Sequence, residues 1–332
     1  MILIVEQIKS IIPEVYLVGG SVRDILLDRK PKDYDFCTPL FPEEIEKVIR
    51  DAGRHPFLTG KRFGTIGVKI NGELVEITTF RTEKYKDGSR KPEVNFVKDL
   101  EEDLSRRDFT INAMALDGDK IIDPFGGQTD LKFSLIRCVG KPSDRFQEDP
   151  LRMLRACRFA SQLNGTIEVE TEKFMKQLNY KIIDISKERW MQELDKILLS
   201  NNPAIGLDAL IRTNIMNYIL PELSLQNGYN QNNPHHTLTL WSHTLETIKN
   251  TPADIELRWA ALLHDIAKPF VRTDNNKGYS NYIKHDLLGG EFVLRLAAYL
   301  HWSNDRKNHV YNLVVNHMQD NSPLKQADRE AK

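Results

Sequence analysis

The pattern of hydrophobic and polar positions changes character near residue 148 of the chain. Before it, short apolar runs rich in β-branched and aromatic residues are separated by Gly and Asn, which is typical of strands. The predicted strands are Glu14–Val18, Tyr34–Cys37, Gly64–Ile70 and Leu74–Phe80, with Asn71-Gly72 as a hairpin turn. Helical spacing predicts helices at Pro42–Ala52 and Phe109–Leu116, and the apolar start Met1–Glu6 begins another. The polar stretch Glu83–Lys91, which contains Asp87-Gly88, predicts a mobile loop.

Beyond residue 148 the apolar positions recur with helical spacing. The predicted helices are Leu151–Leu163, Glu172–Leu178, Trp190–Leu199, Ile205–Arg212, Leu240–Lys249, Ile255–Ile266, Leu287–Leu300 and Val310–Met318. A stretch rich in Asn and Gln, Gln226–Pro234, separates the last four from the others. We therefore expect an α/β head over residues 1–137, an all-α neck and body over 138–225, and a helical module over 226–332.

Composition narrows the classes of protein that fit this pattern. A length of 332 residues is enough for about two domains. The net charge of −1 excludes a globally basic protein, so a nucleic-acid surface has to be a local patch. Three cysteines without a CxxC pair argue against a disulfide framework or a cysteine zinc site and favour a reducing cytosol. The N-terminus has neither the basic flank nor the apolar length of a signal or a membrane span.

A glycine pair and two spaced aspartates carry the first candidate chemistry. Gly19-Gly20 ends an apolar run and precedes a helical stretch, where backbone N–H groups can hold phosphate oxygens. Asp33 and Asp35 alternate with aromatic residues, which places both carboxylates on one face of a strand. Two such carboxylates can hold divalent ions for phosphoryl or nucleotidyl transfer. Glu76 is either the solvent face of its own strand or a third carboxylate beside the metal.

Arginine and aspartate recur in two further motifs. Arg106-Arg107-Asp108 opens a predicted helix, where Asp108 either caps the helix or meets the ribose of an anionic ligand. Asp149 precedes Pro150 as an N-cap would, yet with Arg152 it also offers an acceptor and a donor to a base edge.

Histidines mark the C-terminal module. His243, the adjacent pair His264-Asp265 and the distant His317 stand on predicted helices. They are a metal site for phosphate-ester hydrolysis, a buried hydrogen-bonded pair in a helical core, or a decayed site. Asp320 is a candidate for a further ligand.

Taken in order, these motifs resemble those of a known family. Gly19–Asp24, Asp33-x-Asp35, Arg106-Arg107-Asp108, Asp123–Gly127 and Glu148-Asp149-x-x-Arg152 are similar to the motifs of class II tRNA nucleotidyltransferases, the CCA-adding enzymes. Those enzymes share their head with bacterial poly(A) polymerases. Ser186–Arg189 with Glu193-Leu194 resembles the family's helix-stabilising motif. The C-terminal histidines resemble an HD-like module.

The resemblance implies a nucleotidyltransferase sheet followed by helical neck, body and HD-like domain, in a cytoplasmic protein without a membrane partner. It implies Mg²⁺ on Asp33 and Asp35, with Glu76 as a further catalytic carboxylate. The implied partners are the tRNA 3′ end, CTP and ATP. The implied nucleotide-binding residues are Gly19, Gly20, Ser21, Arg23, Arg106, Asp108, Asn112, Asp149, Arg152, Arg155 and Arg158. The HD-like candidates are His243, His264 and Asp265.

The expected activity is template-independent addition or repair of the tRNA 3′-CCA end, with release of pyrophosphate. The segment Arg81–Pro92 supplies the loop that relatives adding only C lack, so we expect A addition as well. Addition of A alone and poly(A) synthesis remain alternatives. A metal-dependent phosphohydrolase of HD type is the alternative from another class.

Overall fold

The computed structural model describes residues 2–84, 93–234 and 237–331. Its backbone contacts divide the chain into two compact units, Met1–Asp149 and Pro150–Lys332. The first is built on a mixed sheet and the second is mostly helical, which confirms the predicted fold class. The further division of the second unit near residue 225 stays a prediction.

A seven-stranded sheet organises the first unit. Its strands are β1 (Tyr16–Val18), β2 (Tyr34–Thr38), β3 (Pro56–Phe57), β4 (Thr65–Ile70), β5 (Glu73–Thr79), β8 (Ala115–Asp117) and β9 (Lys120–Ile122). They lie in the order β3-β4-β5-β2-β1-β8-β9. Of these neighbours only β2 and β5 run parallel, and all other pairs are antiparallel. The four strands expected from the sequence are therefore confirmed.

Two antiparallel pairs in the first unit are formed by strands that follow one another in the chain. Asn71 and Gly72 join β4 to β5 with φ values of 52° and 87°, the left-handed conformation that a two-residue hairpin turn needs. Strands β6 (Arg81–Lys84) and β7 (Glu93–Phe96) form a separate antiparallel pair. The predicted loop Glu83–Lys91 falls largely on residues 85–92, outside the described residues.

Helices cover the sheet and link its strands. They are α1 (Ile2–Ile11), α2 (Gly20–Leu26), α3 (Pro42–Asp51), α4 (Leu100–Ser105), α5 (Gly127–Lys132) and α6 (Pro142–Glu148), and the short strand β10 (Leu135–Ile136) lies between the last two. Helix α3 buries Ile45 and Ile49 and carries Glu43 and Glu44 in its first turn, where they complement the helix dipole.

The predicted helix Phe109–Leu116 is wrong. Only one 3₁₀ turn, Thr110–Asn112, forms there, and the chain then enters β8. Leu116 and Ala115 pair with Leu17 and Val18 of β1, so backbone groups that a helix would use internally serve the sheet instead. Periodicity alone could not separate the two for so short an apolar run.

The second unit consists of packed helices. They are α7 (Leu151–Leu163), α8 (Val169–Leu178), α9 (Lys187–Leu198), α10 (Pro203–Arg212), α11 (Met216–Ile219), α12 (Pro221–Ser224), α13 (Leu240–Asn250), α14 (Ile255–Leu263), α15 (Lys268–Val271), α16 (His285–Tyr299), α17 (Asn304–Val315) and α18 (Lys325–Glu330). The two-residue strands β11 (Thr166–Ile167), β12 (Thr273–Asp274) and β13 (Ser280–Asn281) complete it. All eight predicted helices are present, with ends shifted by a few residues. No helix in the described ranges is long and apolar enough to cross a membrane.

Helices α7 and α10 approach closely at Gly206. A Cβ atom there would lie 2.4 Å from Ser161 Oγ and 2.6 Å from the Cys157 carbonyl oxygen of α7. The Ser161 hydroxyl also accepts a 2.8 Å hydrogen bond from the Gly206 N–H group. Glycine is required because any side chain would push the helices apart.

We expect Gly206→Ala to destabilise the second unit. The methyl group overlaps backbone that cannot move away, at a cost of about 1–3 kcal/mol. This exceeds the roughly 1 kcal/mol that alanine gains over glycine in helix propensity. Urea unfolding followed by circular dichroism measures the difference, with the more exposed Asp208→Ala of the same helix as control. Parent-like stability of Gly206→Ala would contradict the close packing.

Candidate functional site

The glycine turn between β1 and α2 has a backbone conformation that only glycine adopts readily. Gly19 has φ 71° and ψ −136°. A Cβ atom on Gly19 would lie 2.8 Å from Arg107 Nη1, so the guanidinium group of Arg107 lies directly over the turn. The turn therefore brings its backbone next to a cationic side chain.

Ser21 joins this turn to the strand of the two aspartates. Its hydroxyl donates a 2.8 Å hydrogen bond to the Asp33 carbonyl oxygen and accepts one of 3.3 Å from the Asp35 N–H group. Ser21 is 3% exposed, so the link is shielded from water. The candidate phosphate turn and the candidate metal strand are thus held together by one buried side chain.

Glu76 lies beside Asp35. The parallel register of β2 and β5 pairs these two residues directly, so their side chains project from the same face of the sheet. Val75 and Ile77 point to the opposite, buried face. The solvent face of β5 is therefore also the face of the two aspartates. The position of Glu76 is compatible with both alternatives from the sequence, a residue on the solvent face and a third carboxylate beside the metal.

The three carboxylates repel one another. Burial raises the pKa of Asp35, and the charges of Glu76 and Asp33 raise it further, while Arg107 lowers it. Repulsion of this kind is relieved by a bound cation, and clustered carboxylate oxygens are the ligands that Mg²⁺ prefers. The chemistry of these side chains therefore suits a divalent ion, and their convergence on one ion stays a prediction.

The two neighbouring arginines, Arg106 and Arg107, face different partners. Arg106 donates to Asp103 at 2.9 and 3.1 Å and to Glu83 at 3.0 Å. These two carboxylates outweigh burial and raise the pKa of Arg106. Arg107 makes one long contact of 3.5 Å with Asp103 and extends to Gly19. The motif Arg106-Arg107-Asp108 contains both arginines, but the predicted nucleotide-binding set includes only Arg106, because spacing alone cannot assign consecutive residues to a site or a core.

A chain of hydrogen bonds connects the glycine turn's helix to the Arg-Arg-Asp motif. Arg23 donates from Nη1 to Asn112 Oδ1 at 2.7 Å, and Asn112 Nδ2 donates to Asp108 Oδ1 at 3.1 Å. Asp108 and Asn112 are 8% and 6% exposed. Asp108 thus lies before a 3₁₀ turn and not at the start of the helix that the sequence predicted.

The second-unit arginines lie on α7. Arg152 is 7% exposed, and Arg158 forms a 2.6 Å ion pair with the buried Glu193 of α9. Helix α7 begins at Leu151 with Pro150 in the cap position, and the extended Asp149 ends α6 in the first unit. The predicted Asp149 N-cap is therefore displaced by one residue.

Family models match two parts of the chain. Residues 15–137 match the poly A polymerase head domain, and residues 165–226 match the probable RNA and SrmB-binding site of polymerase A. The CCA-adding enzyme of Pediococcus pentosaceus is 43% identical over 217 residues, which cover 65% of this chain and 54% of that one. The CCA-adding enzyme of Ligilactobacillus salivarius is 45% identical over 217 residues, which cover 65% of this chain and 53% of that one.

Solved structures extend the likeness further. The crystal structure of the Bacillus stearothermophilus CCA-adding enzyme in complex with CTP has a TM-score of 0.64 and 32% identity, over 96% of this chain and 76% of that chain. The chain belongs to the CCA-adding enzyme family. A tRNA nucleotidyltransferase complexed with a primer tRNA and an incoming ATP analog has a TM-score of 0.55 and 25% identity, over 96% of this chain and 98% of that one. This family member spans about half the length of the curated relatives it matches.

A second candidate site lies beyond residue 226, where the matched family models end. Four histidines and two aspartates, none more than 8% exposed, converge among the helices of the second unit. They are His243, His264, Asp265, His285, His317 and Asp328. Asp320, the candidate from the sequence, is wrong for this cluster, since its side chain is 91% exposed and pairs with Arg329. Asp328 of α18 takes that place.

Asp265 lies at the centre of this histidine–aspartate cluster. Its Oδ2 atom is 3.1 Å from His264 Nε2 and 3.4 Å from His243 Nε2, while Oδ1 is 3.2 Å from His285 Nε2. Burial would raise the pKa of Asp265, but His264 and Lys268 hold it well below its usual range. His285 is not predicted from the sequence because it lies two residues before the predicted helix Leu287–Leu300. Asp328 is not predicted because nothing in the spacing marks α18 as part of the site.

The histidines respond differently to this environment. Burial alone would lower the pKa of His243, but the carboxylates of Asp265 and Asp328 stabilise the protonated ring and raise its pKa to about 9. Burial and the neighbouring His264 lower the pKa of His317 to about 4. The two values show that the cluster stabilises positive charge near Asp328 and disfavours a protonated ring at His317.

We expect Asp103→Asn to destabilise the first unit. The Asp103 side chain is fully buried, and its loss of charge leaves Arg106 and Arg107 without their shared counter-ion. Breaking a buried ion pair from one side costs about 3–5 kcal/mol. Thermal or urea unfolding measures it, with the exposed Glu102→Gln of the same helix as a control expected to change stability by less than about 0.5 kcal/mol. Equal stability of the two variants would contradict a structural role of the Asp103 ion pairs.

Proposed function

We propose that this protein is a template-independent RNA nucleotidyltransferase that adds or repairs the 3′-CCA end of tRNA from CTP and ATP. The observation that carries the proposal is the pairing of Asp35 with Glu76, next to Asp33 and the Gly19 turn, in a member of the CCA-adding family. Relatives crystallised with CTP, and with primer tRNA and an ATP analog, support these substrates.

Asp33 and Asp35 would hold Mg²⁺, which supplies charge neutralisation at the triphosphate and activation of the attacking hydroxyl. The tRNA 3′-hydroxyl oxygen bonds to the α-phosphorus while the bond from that phosphorus to the bridging oxygen breaks. Pyrophosphate leaves, and the hydroxyl proton passes to solvent. Arg107 lies over the glycine turn, where its guanidinium group can bind phosphate oxygens of the nucleotide.

Base selection falls to Asp149 and Arg152. A carboxylate accepts and a guanidinium donates, so the two can match the Watson–Crick edge of an incoming base without a template strand. Arg158 serves a different purpose, because its ion pair with Glu193 fixes α7 to α9. This supports a helix-stabilising role for the Glu193 motif. Of the two other arginines of α7, Arg152 and Arg155, we assign Arg152 to selection because it lies three residues from Asp149.

The tRNA surface lies in the second unit, where residues 165–226 match an RNA-binding family model. Lys173 and Lys176 pair with Glu170 and Glu172 at 3.1 and 2.9 Å, and both lysine side chains are about half exposed. Exposed pairs of this kind are weak, so RNA phosphates can compete for the lysines. We place the protein in the cytoplasm, where tRNA is its substrate. Addition of A alone and poly(A) synthesis remain alternatives.

We expect Asp35→Asn to lower nucleotide incorporation by about 100-fold or more, equivalent to about 2.7 kcal/mol of transition-state stabilisation. The amide keeps the shape of the side chain but loses the charge that holds the cation. The assay follows labelled CMP and AMP added to tRNA that lacks CCA, in the presence of Mg²⁺. Asp119→Asn, at an exposed turn, is the control. Full incorporation by Asp35→Asn would refute the proposal.

We expect the double variant Asp149→Ala with Arg152→Ala to lose discrimination among nucleoside triphosphates. A bidentate base contact is worth about 1–3 kcal/mol, so the preference for CTP and ATP over UTP and GTP should fall by about 10–100-fold. Competition assays with all four nucleotides measure it, and Gln177→Ala provides a control on the exposed face of α8. A melting curve reports whether the loss of Arg152 affects folding. An unchanged preference would exclude a base-reading role.

A further inference from the structure

Helix α9 presents one row of side chains to helices near the C-terminal end of the second unit. The row consists of Lys187, Met191 and Asp195, which are four residues apart and therefore lie on one face of the helix. The Lys187 ammonium lies 3.5 Å from the centre of the Tyr299 ring, and Met191 Sδ accepts a 3.4 Å hydrogen bond from Trp302 Nε1. The corner between α16 and α17 therefore packs against this face of α9.

Asp195 joins the same face to two further elements. Its Oδ1 atom accepts a 2.7 Å hydrogen bond from Trp259 Nε1 of α14, and its Oδ2 atom pairs with Arg306 Nη2 of α17 at 3.0 Å. Trp259 is fully buried, and the side chains of Asp195 and Arg306 are 23% and 22% exposed. One carboxylate therefore binds α9 to two helices, through one neutral donor and one charged donor.

Arg258, the residue before Trp259 on α14, binds the end of α9. Arg258 is 6% exposed, and its Nη1 atom donates to the Leu198 carbonyl oxygen and, at 2.7 Å, to that of Ser200. The last carbonyl groups of a helix lack partners within the helix and carry partial negative charge, so a guanidinium group stabilises them. Two neighbouring residues of α14 thus hold α9 at Asp195 and at its C-terminal turn.

The other side of α9 holds α7. Glu193 is two residues from Asp195 and therefore points about 200° away from it around the helix axis. Glu193 forms the 2.6 Å ion pair with Arg158 of α7, and the two side chains are 5% and 11% exposed. Arg152 lies on the same helix α7, about two turns before Arg158. Helix α9 is therefore held between the helix that carries Arg152 and the pair α14 and α17.

We propose that Asp195 is a positioning residue for base selection, which acts on Arg152 through α9 and α7 without itself contacting the nucleotide. The inference rests on the proposed role of Arg152 in selection. A displacement of about 1 Å at a reacting or reading group can cost about 100-fold, so the helix that carries Arg152 has to be fixed from behind. Helices α14 and α17 then serve the nucleotide specificity of the protein, a role independent of the histidine–aspartate cluster.

Amide hydrogen exchange tests the link between the helices without any assumption about activity. Asp195→Asn keeps an acceptor for Trp259 but loses the charge that binds Arg306. We expect amide exchange to become about 3-fold faster or more in α7 as well as in α9. Asp184→Asn makes the same change at an exposed position before α9 and should leave both helices at the parent rate. Faster exchange confined to α9, α14 and α17 would overturn the link to α7.

Nucleotide selection provides the second test. CTP and UTP compete for addition to tRNA that lacks CCA, with the parent, Asp195→Asn, Arg306→Gln and the double variant. We expect the preference for CTP to fall by about 3–10-fold in each single variant. The double variant should show no further loss, because the two side chains act as one pair. Asp195→Glu keeps the charge and should recover part of the preference.

The outcomes separate this inference from the proposed function. A parent protein that incorporates no nucleotide would refute the proposed function, and the ratio of the CTP and UTP dissociation constants, measured by calorimetry, would then report the preference. A lower melting temperature of Asp195→Asn with a parent-like preference would show that the contact only stabilises the fold, which overturns the inference. An equal loss of preference in Asp184→Asn would overturn it as well.

Discussion

The parallel pairing of β2 with β5 is the constraint on which the first unit depends. It places Asp35 and Glu76 side by side on neighbouring strands, so two like charges project from the same face of the sheet. A parallel pair needs a crossover, and the chain supplies it with α3, β3 and β4 before it returns as β5. The register of these two strands is fixed by buried residues such as Phe36 and Ile77, because a shift would expose core side chains to solvent. The repulsion is therefore built into the fold, and Arg107 offsets part of it.

The positive charges around this pair are fixed by a second buried network. Asp103 and Glu83 bind Arg106 through three hydrogen bonds of 2.9–3.1 Å, whereas Asp103 makes one contact of 3.5 Å with Arg107. The guanidinium group of Arg107 lies next to Gly19. The glycine allows this, because any Cβ atom would occupy the space of the guanidinium group. One arginine stabilises the head while its neighbour stays available to an anion.

Much of this architecture could be predicted from the chain alone. Alternation along Glu73–Thr79 and helical spacing along Leu151–Leu163 are local signals. The apolar pattern within each segment is enough to predict the element, because it shows which face of that element is buried. The predicted helix at Phe109–Leu116 was wrong because Ala115 and Leu116 pair with a strand about a hundred positions earlier, which no local pattern encodes. For the same reason Arg107, His285 and Asp328 were missed. Their roles depend on what the fold brings beside them and not on their neighbours in sequence.

The two candidate cation sites of this protein differ in the side chains that they offer as ligands. In the first unit the candidate ligands are carboxylates on the solvent face of the sheet, and hard oxygen ligands suit Mg²⁺. The second unit instead buries four imidazoles whose Nδ1 atoms are all held by carbonyl oxygens, so their Nε2 atoms cannot turn away from one another. Imidazole nitrogens favour first-row transition metals, whereas carboxylate oxygens favour Mg²⁺. The ligand chemistry of the two candidate sites therefore suits different cations.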